Sequence, residues 1–278
     1  MSTVTITAAD VNKLRMQTGA GMMDCKKALT EANGDFEAAV DLLRKKGAKV
    51  AANRADRAAS EGCVLAKVSA DGTFGVVLSL NCETDFVAKN EGFVTLTTGF
   101  IDLALSNKVK TKEEFLKQNY QGLSVSEKLV EQTGVIGEKL EIGSYEIIES
   151  PAVAAYIHPG NRLATLVGLT KGGDANLEAG RQVAMQVAAM NPVALDEKSV
   201  TQDIIDREIA VGKEQAIAEG KPADMAEKIA VGKLNKFYKE STLLNQEFIR
   251  DSKKTVKQFL SDTDKELTAT GFKRVALG

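Results

Sequence analysis

The segment "LSLNCETDFVAKN", residues 78–90, sets a carboxylate, an apolar ring and an ammonium in close succession at Asp85, Phe86 and Lys89, directly after a run that alternates like a strand. Two readings of that spacing stand open. In one, Thr84 or Asp85 caps a short helix, Phe86 is its hydrophobic staple and Lys89 is solvated. In the other, a rigid turn holds Asp85 and Phe86 outward as a probe for another surface. A second group is the "GAGMMD" stretch, where Met22 and Met23 are adjacent. On a helix they point about 100° apart and cannot face the same core, so one of them is expected at the surface. The bland alternative is a turn that tucks methionines inward as core filler. A third pair, Cys82 with His158, is the one Cys-His nucleophile–base couple that can be written down, because His158 is the single histidine. Nothing in its spacing supports catalysis, and a buried thiol plus a turn-proximal imidazole is the plainer reading.

Other chemistries find no foothold. There is no GxxxxGK[ST], and "GKP" at 220–222 lacks both the loop before it and the hydroxyl after it that would cradle phosphates and hold magnesium. No GxGxxG follows a strand, and one histidine cannot build a clustered metal site. Cys25, Cys63 and Cys82 are far apart, odd in number and free of CxxC spacing, as expected of reduced, mostly buried thiols. Lys and Arg total 36 against 38 Asp and Glu, a net charge of -2 that leaves no electrostatic footprint for nucleic acid. At 44% hydrophobic and 27% charged the composition is globular, and no apolar run approaches the ~20 residues of a bilayer span. The first residues, "MSTVTITAADVNKLR", show no targeting pattern, so the expected compartment is the cytoplasm. No cofactor, metal or membrane is expected, and the chain reads as a non-enzyme.

The elements that must position these residues divide the 278 positions into several blocks. Residues 1–47 read as three helices. Thr7 to Asp10 opens the first, Val11, Leu14 and Thr18 line its face, Gly19 to Gly21 break it, and Asn33-Gly34 ends the second. Asp35 caps the third, whose Phe36, Ala39, Val40 and Leu43 share a face before Gly47. Residues 48–60, Ala-rich and basic, read as a linker. Two β-rich runs then flank Asp71-Gly72, a strong hairpin signal. A helix follows with Phe93, Leu96, Phe100 and Leu103 on one face, then capping pairs Thr111/Glu114 and Ser124/Glu127, then a strand over 140–148. That order recurs as two β-like runs around Pro-Gly-Asn and a helix carrying Leu177, Ala184, Val187 and Ala188.

The expectation is an α+β fold with a duplicated ββα core, its first half 61–150 and its second half 151–197. Residues 198–241 interrupt it as two charged helices hinged at Gly220-Lys221-Pro222, with a thin seam including Ile205, Ile209, Ala216, Ile229 and Phe237. At about 1.5 Å per residue each arm reaches about 30 Å, an antiparallel hairpin too poor in apolar surface to form a core. Residues 242–278 return to the body, with a helix over 255–260 and a closing strand in "TGFKRVALG".

"TGAGMMDCKKALTEANGDFEAAVDLLRKKG" (18–47), "NCETDFVAKNEGF" (81–93), "EGKP" at the hinge and "SKKTVKQFL" near the end together resemble bacterial elongation factor Ts over essentially the whole chain. The resemblance implies a guanine-nucleotide exchange factor of protein biosynthesis, acting in translation by protein–protein interaction on elongation factor Tu carrying GDP. In the family the N-terminal helices, of ubiquitin-associated type, grip the partner, which here implies Arg15, Met22, Met23 and Lys26. The TDFV segment, Thr84, Asp85, Phe86 and Val87, is implied to enter near the partner's magnesium site. The second core half around His158 is implied to meet other partner domains, although its Pro-Gly-Asn turn is longer than the family's. The hairpin resembles the family's dimerisation element, implying a homodimer or two-to-two complex. The competing class is a ubiquitin-associated-type adapter without exchange activity, which explains residues 1–47 but leaves the TDFV turn and duplicated core without a use.

Overall fold

A computed structural model describes residues 4–278; residues 1–3 of the first expected unit fall outside the described residues. Thr7 opens helix α1 (Ala8–Thr18) with a reciprocal capping box: its hydroxyl accepts from the Asp10 N–H while the Asp10 carboxylate accepts from the Thr7 N–H at 3.0 Å. Helix α2 (Met22–Glu31) follows, and Asp35 caps helix α3 (Phe36–Asn53) by accepting from the Ala38 N–H at 3.1 Å. Val11, Leu14, Cys25, Ala28, Leu29 and Ala39 form their shared core, ringed by Ile6, Phe36, Val40 and Leu43.

The third helix does not end at Gly47 but runs on to Asn53, through the stretch expected as a linker. The physical reason is a close crossing. Gly47 lies against helix α7, introduced below, where a Cβ would stand 3.2 Å from the Val130 carbonyl oxygen, and a Cβ on Gly134 would overlap the Gly47 Cα. Gly47 is therefore a contact glycine and not a stop signal.

Strands β1 (Glu61–Val68) and β2 (Phe74–Cys82) flank the Asp71-Gly72 turn, where the Asp71 carboxylate accepts from the Thr73 N–H at 3.1 Å and from the Ser69 and Thr73 hydroxyls. The chain continues through α4 (Asp85–Ala88), α5 (Glu91–Ser106), α6 (Lys112–Leu116), β3 (Asn119–Tyr120), β4 (Leu123–Ser124), α7 (Val125–Ile136) and β5 (Glu141–Glu149). Ser124 and Glu127 make a full capping box, whereas Thr111 only accepts from the Glu114 N–H and the Glu114 carboxylate accepts from Lys110 instead. Helix α5 buries Phe93, Leu96, Phe100 and Ile101, while Leu103, expected on that face, is half-buried; Tyr145 donates its hydroxyl to the Val109 carbonyl. The sheet order is β1-β2-β5.

Two compact units result. The first holds the described residues up to Val64 with Leu78–Tyr145 and Leu277–Gly278; the second holds Leu65–Val77 and Glu146–Ala276. The second contains β6 (Ala152–Ile157), β7 (Leu163–Leu169), α8 (Asp174–Met190), α9 (Gln202–Ala218), α10 (Ala223–Ser241), β8 (Glu247–Phe248), β9 (Asp251–Thr255), α11 (Val256–Thr263) and β10 (Ala269–Ala276). Its sheet runs β10-β7-β6, both pairings antiparallel, with Val167 opposite Phe272 and Ala154. Val167, Leu169, Val183, Val187, Leu243, Phe248 and Leu260 pack its core. The fold is α+β.

Helices α9 and α10 lie antiparallel, with Lys213 reaching Glu227 at 2.9 Å and Lys233 reaching Gln215 at 2.8 Å. Their buried seam is Gly212, Ala216, Ala226, Ala230 and Leu234. Of the seam residues expected from the sequence only Ala216 is fully buried; Ile205, Ile209, Ile229 and Phe237 are half-buried. Small side chains let the backbones approach, a Cβ on Gly212 falling 3.1 Å from the Ala230 Cα, so larger residues are displaced to the flanks. Val211, Ile217, Met225 and Val231 remain exposed.

Candidate functional site

The turn after Cys82 combines the two readings its spacing left open. Thr84 does cap the four-residue helix α4, its hydroxyl accepting from the Val87 N–H at 3.4 Å. Phe86, however, is no staple: it is 84% exposed, and no residue of α4 is buried. An apolar ring held in water loses the burial energy of about 1.5 to 3 kcal/mol that a core position would give it. Asp85 and Lys89 pair at 2.6 Å across one helical turn, and that hydrogen bond is the leading reason the Asp85 carboxyl sits below its usual value.

The backbone beneath the ring is anchored by carboxylates. Glu138 accepts from the Glu83 N–H at 3.1 Å, the Thr84 N–H at 3.0 Å and the Thr84 hydroxyl at 2.7 Å. Glu83, its side chain only 12% exposed, accepts from Arg54 at 2.7 Å, Arg57 at 3.2 Å and the Lys139 N–H at 2.7 Å. The Lys139 N–H first, then the two guanidiniums, hold the Glu83 carboxyl below the usual range. Beside Phe86 lies a shallow depression lined by Val87, Asn90, Phe93 and Ile136.

Met22 and Met23 are 56% and 73% exposed, so both lie at the surface where adjacency required only one to do so. Arg15 and Lys26 are exposed on α1 and α2. Met16, 80% exposed, was not singled out from the sequence, although its place off the Val11, Leu14, Thr18 face was a usable signal. Glu83 and Glu138 were missed too, because 54 residues separate Glu138 from Thr84 and no local pattern links them.

The first unit thus contains Arg15, Met22, Met23, Lys26 and Thr84 to Val87, while His158 belongs to the second. There His158 is exposed in the turn between β6 and β7, its Nδ1 within 3.0 Å of the Tyr156 hydroxyl. The Cys82 thiol donates to the Thr84 carbonyl at 3.2 Å, and burial, helped by nearby Glu138, pushes its pKa up to about 12. A thiol held protonated at neutral pH offers no thiolate, so the Cys-His couple lacks its nucleophile. Among the described residues no group of three His, Cys, Asp or Glu side chains could hold a metal ion, and no helix is long and apolar enough to cross a membrane.

The family model described as Elongation factor TS matches residues 83–278. The chain is 56% identical to Elongation factor Ts of Christiangramia forsetii over 273 residues, covering 98% of this chain and 99% of the relative. It is 55% identical to Elongation factor Ts of Flavobacterium psychrophilum, covering 99% of each, and 53% identical to that of Cytophaga hutchinsonii, covering 98% of this chain and 99% of the relative. The chain belongs to the elongation factor Ts family of translation elongation factors.

Proposed function

We propose that the protein is a guanine-nucleotide exchange factor that binds elongation factor Tu carrying GDP and speeds GDP release, without covalent chemistry of its own. The observation that carries this reading is Phe86, an exposed ring on a turn whose backbone is fixed from below. GDP is held largely through its phosphates and a magnesium ion, fixed by donors and carboxylates whose geometry tolerates little displacement. A ring wedged between the elements carrying those groups loosens the metal first. Burial of the ring contributes about 1.5 to 3 kcal/mol, offsetting part of that distortion. By linkage, GDP weakens binding of this protein by the same factor by which the protein weakens GDP binding.

The remaining assignments follow the same reading. Residues 1–47 act as a ubiquitin-associated-type grip through Arg15, Met22, Met23 and Lys26, supported by the exposure of both methionines. The linker is assigned to 48–60, although α3 covers part of it; a duplicated core has halves 61–150 and 151–197, the second meeting the partner around His158. The hairpin, 198–241, joins two copies or two complexes through its exposed apolar residues, and 242–278 complete the core and a C-terminal module. The protein works in the cytoplasm with no cofactor. The experiment is stopped-flow release of labelled GDP from elongation factor Tu with this protein at a small fraction of the partner's concentration. Acceleration beyond one turnover is expected. Binding without acceleration would leave an adapter and end the exchange reading.

A further inference from the structure

The geometry points to Glu138 as a positioning residue for the exchange step, acting with Glu83 as a two-carboxylate clasp that sets where Phe86 stands. This inference rests on the exchange reading of the Phe86 turn. A buried aromatic is positioned by the side chains packed around it, but Phe86 is 84% exposed and α4 buries no residue. The ring itself is therefore not held by packing, and with Val87 and Ala88 only half-buried the hydrogen bonds to the backbone below carry much of its placement. That backbone hangs on a reciprocal arrangement. The Glu138 side chain accepts from the backbone of Glu83 and Thr84, while the Glu83 side chain accepts from the backbone of Lys139. Two successive residues, Glu138 and Lys139, thus hold two successive residues, Glu83 and Thr84, with one carboxylate in each direction.

The clasp is also tied to the helices of the same unit. Arg54, the C-cap of α3, donates to Glu83 at 2.7 Å, and Arg57 adds a second guanidinium. Glu138 stands directly after Gly137, the cap that ends α7, and α7 is the helix that α3 crosses at the Gly47–Gly134 contact. The Thr84 hydroxyl donates to Glu138 and accepts from the Val87 N–H, passing the anchor into α4 itself. Misplacing a wedge by about 1 Å through such a supporting group costs rate, as it does for groups that orient metal ligands or substrates.

The test compares wild type with Glu138→Ala, Glu138→Gln and Glu138→Asp, each with and without Phe86→Ala. In the free protein, amide hydrogen exchange of residues 83–89 should speed up in Glu138→Ala while the rest of the chain keeps its protection. Glu138→Gln should restore most of it, because an amide oxygen still accepts from the two backbone N–H groups and the Thr84 hydroxyl can turn to accept from the amide. The maximal rate of GDP release at saturating protein should fall about tenfold in Glu138→Ala. The half-saturating concentration should change by less than about threefold. In the Phe86→Ala background the same change should have little further effect, because a missing ring cannot be misplaced. If Glu138→Ala does not fold, Glu138→Asp, one methylene short of its donors, gives the same directions less severely. Unchanged exchange at residues 83–89, or an equal loss with and without Phe86, would overturn the clasp. Wild type that fails to accelerate GDP release, with residues 83–89 still loosened by Glu138→Ala, would defeat the exchange reading and leave the clasp standing.

Discussion

Replacing Phe86 with Ala separates a ring used on a partner from a ring used in the protein's own core. With 84% of the residue exposed, only about a sixth of its burial energy is realised in the free protein. Truncation should therefore cost about 0.2 to 0.5 kcal/mol and lower the unfolding temperature by less than about 2 °C. A buried phenylalanine would instead cost about 3 to 5 kcal/mol, or about 6 °C and more. If the exposed portion is buried only as the partner distorts, about 1.3 to 2.5 kcal/mol is lost from that state, and catalysed GDP release should slow by about ten- to seventyfold. The assay is paired: thermal unfolding of the variant alone, and stopped-flow release of labelled GDP from elongation factor Tu. A drop of about 6 °C or more, with release falling only in proportion to the unfolded fraction, would return Phe86 to the core and leave the wedge unsupported.

Met22→Ala with Met23→Ala should leave thermal unfolding nearly unchanged, since both are exposed, yet weaken association with elongation factor Tu measurably by calorimetry. Unchanged affinity would make the N-terminal helices a cap. Replacing residues 202–241 with a short Gly/Ser link should reduce self-association of the protein or its complex, read by light scattering, more than it slows exchange; an unchanged oligomeric state would remove the hairpin from dimerisation. Gly134→Ala drives a methyl into the Gly47 backbone and should destabilise by about 1 to 3 kcal/mol in a denaturant titration. Gly232→Ala, with nothing within 4 Å of the new Cβ in the middle of α10, should instead stabilise by up to about 1 kcal/mol.

Local signals are the most legible in this sequence. The Thr7 and Ser124 capping boxes, the Asp71-Gly72 turn, the Phe93, Leu96 and Phe100 face of α5 and the closing strand β10 all depend on neighbours a few residues apart. Signals that need a distant partner are not legible in it. Gly47 looks like a helix end until Gly134 is known to press against it, so the stretch through Asn53 looked like a linker. The hairpin seam reads from the sequence as Ile205, Ile209, Ala216, Ile229 and Phe237, whereas close packing of two backbones keeps only Ala216 of these fully buried and adds Gly212, Ala226 and Ala230. At the candidate site, spacing alone could not decide between capping and display for "TDFV", because Thr84 caps and Phe86 is displayed in one four-residue helix. Glu138, which anchors that helix, lies too far along the chain to be linked to it by any periodicity.

The central claim is that this protein binds elongation factor Tu differently according to its nucleotide, and one thermodynamic cycle measures that directly. Calorimetry would give the affinity of the protein for nucleotide-free elongation factor Tu and for the same partner saturated with GDP and magnesium. Titration of GDP with and without the protein would supply the other two legs. The account predicts markedly tighter binding to the nucleotide-free partner, by the same factor by which the protein weakens GDP binding. A ligand that binds two states equally shifts neither, however tightly it binds. Equal affinity for the two forms of the partner would therefore contradict the account.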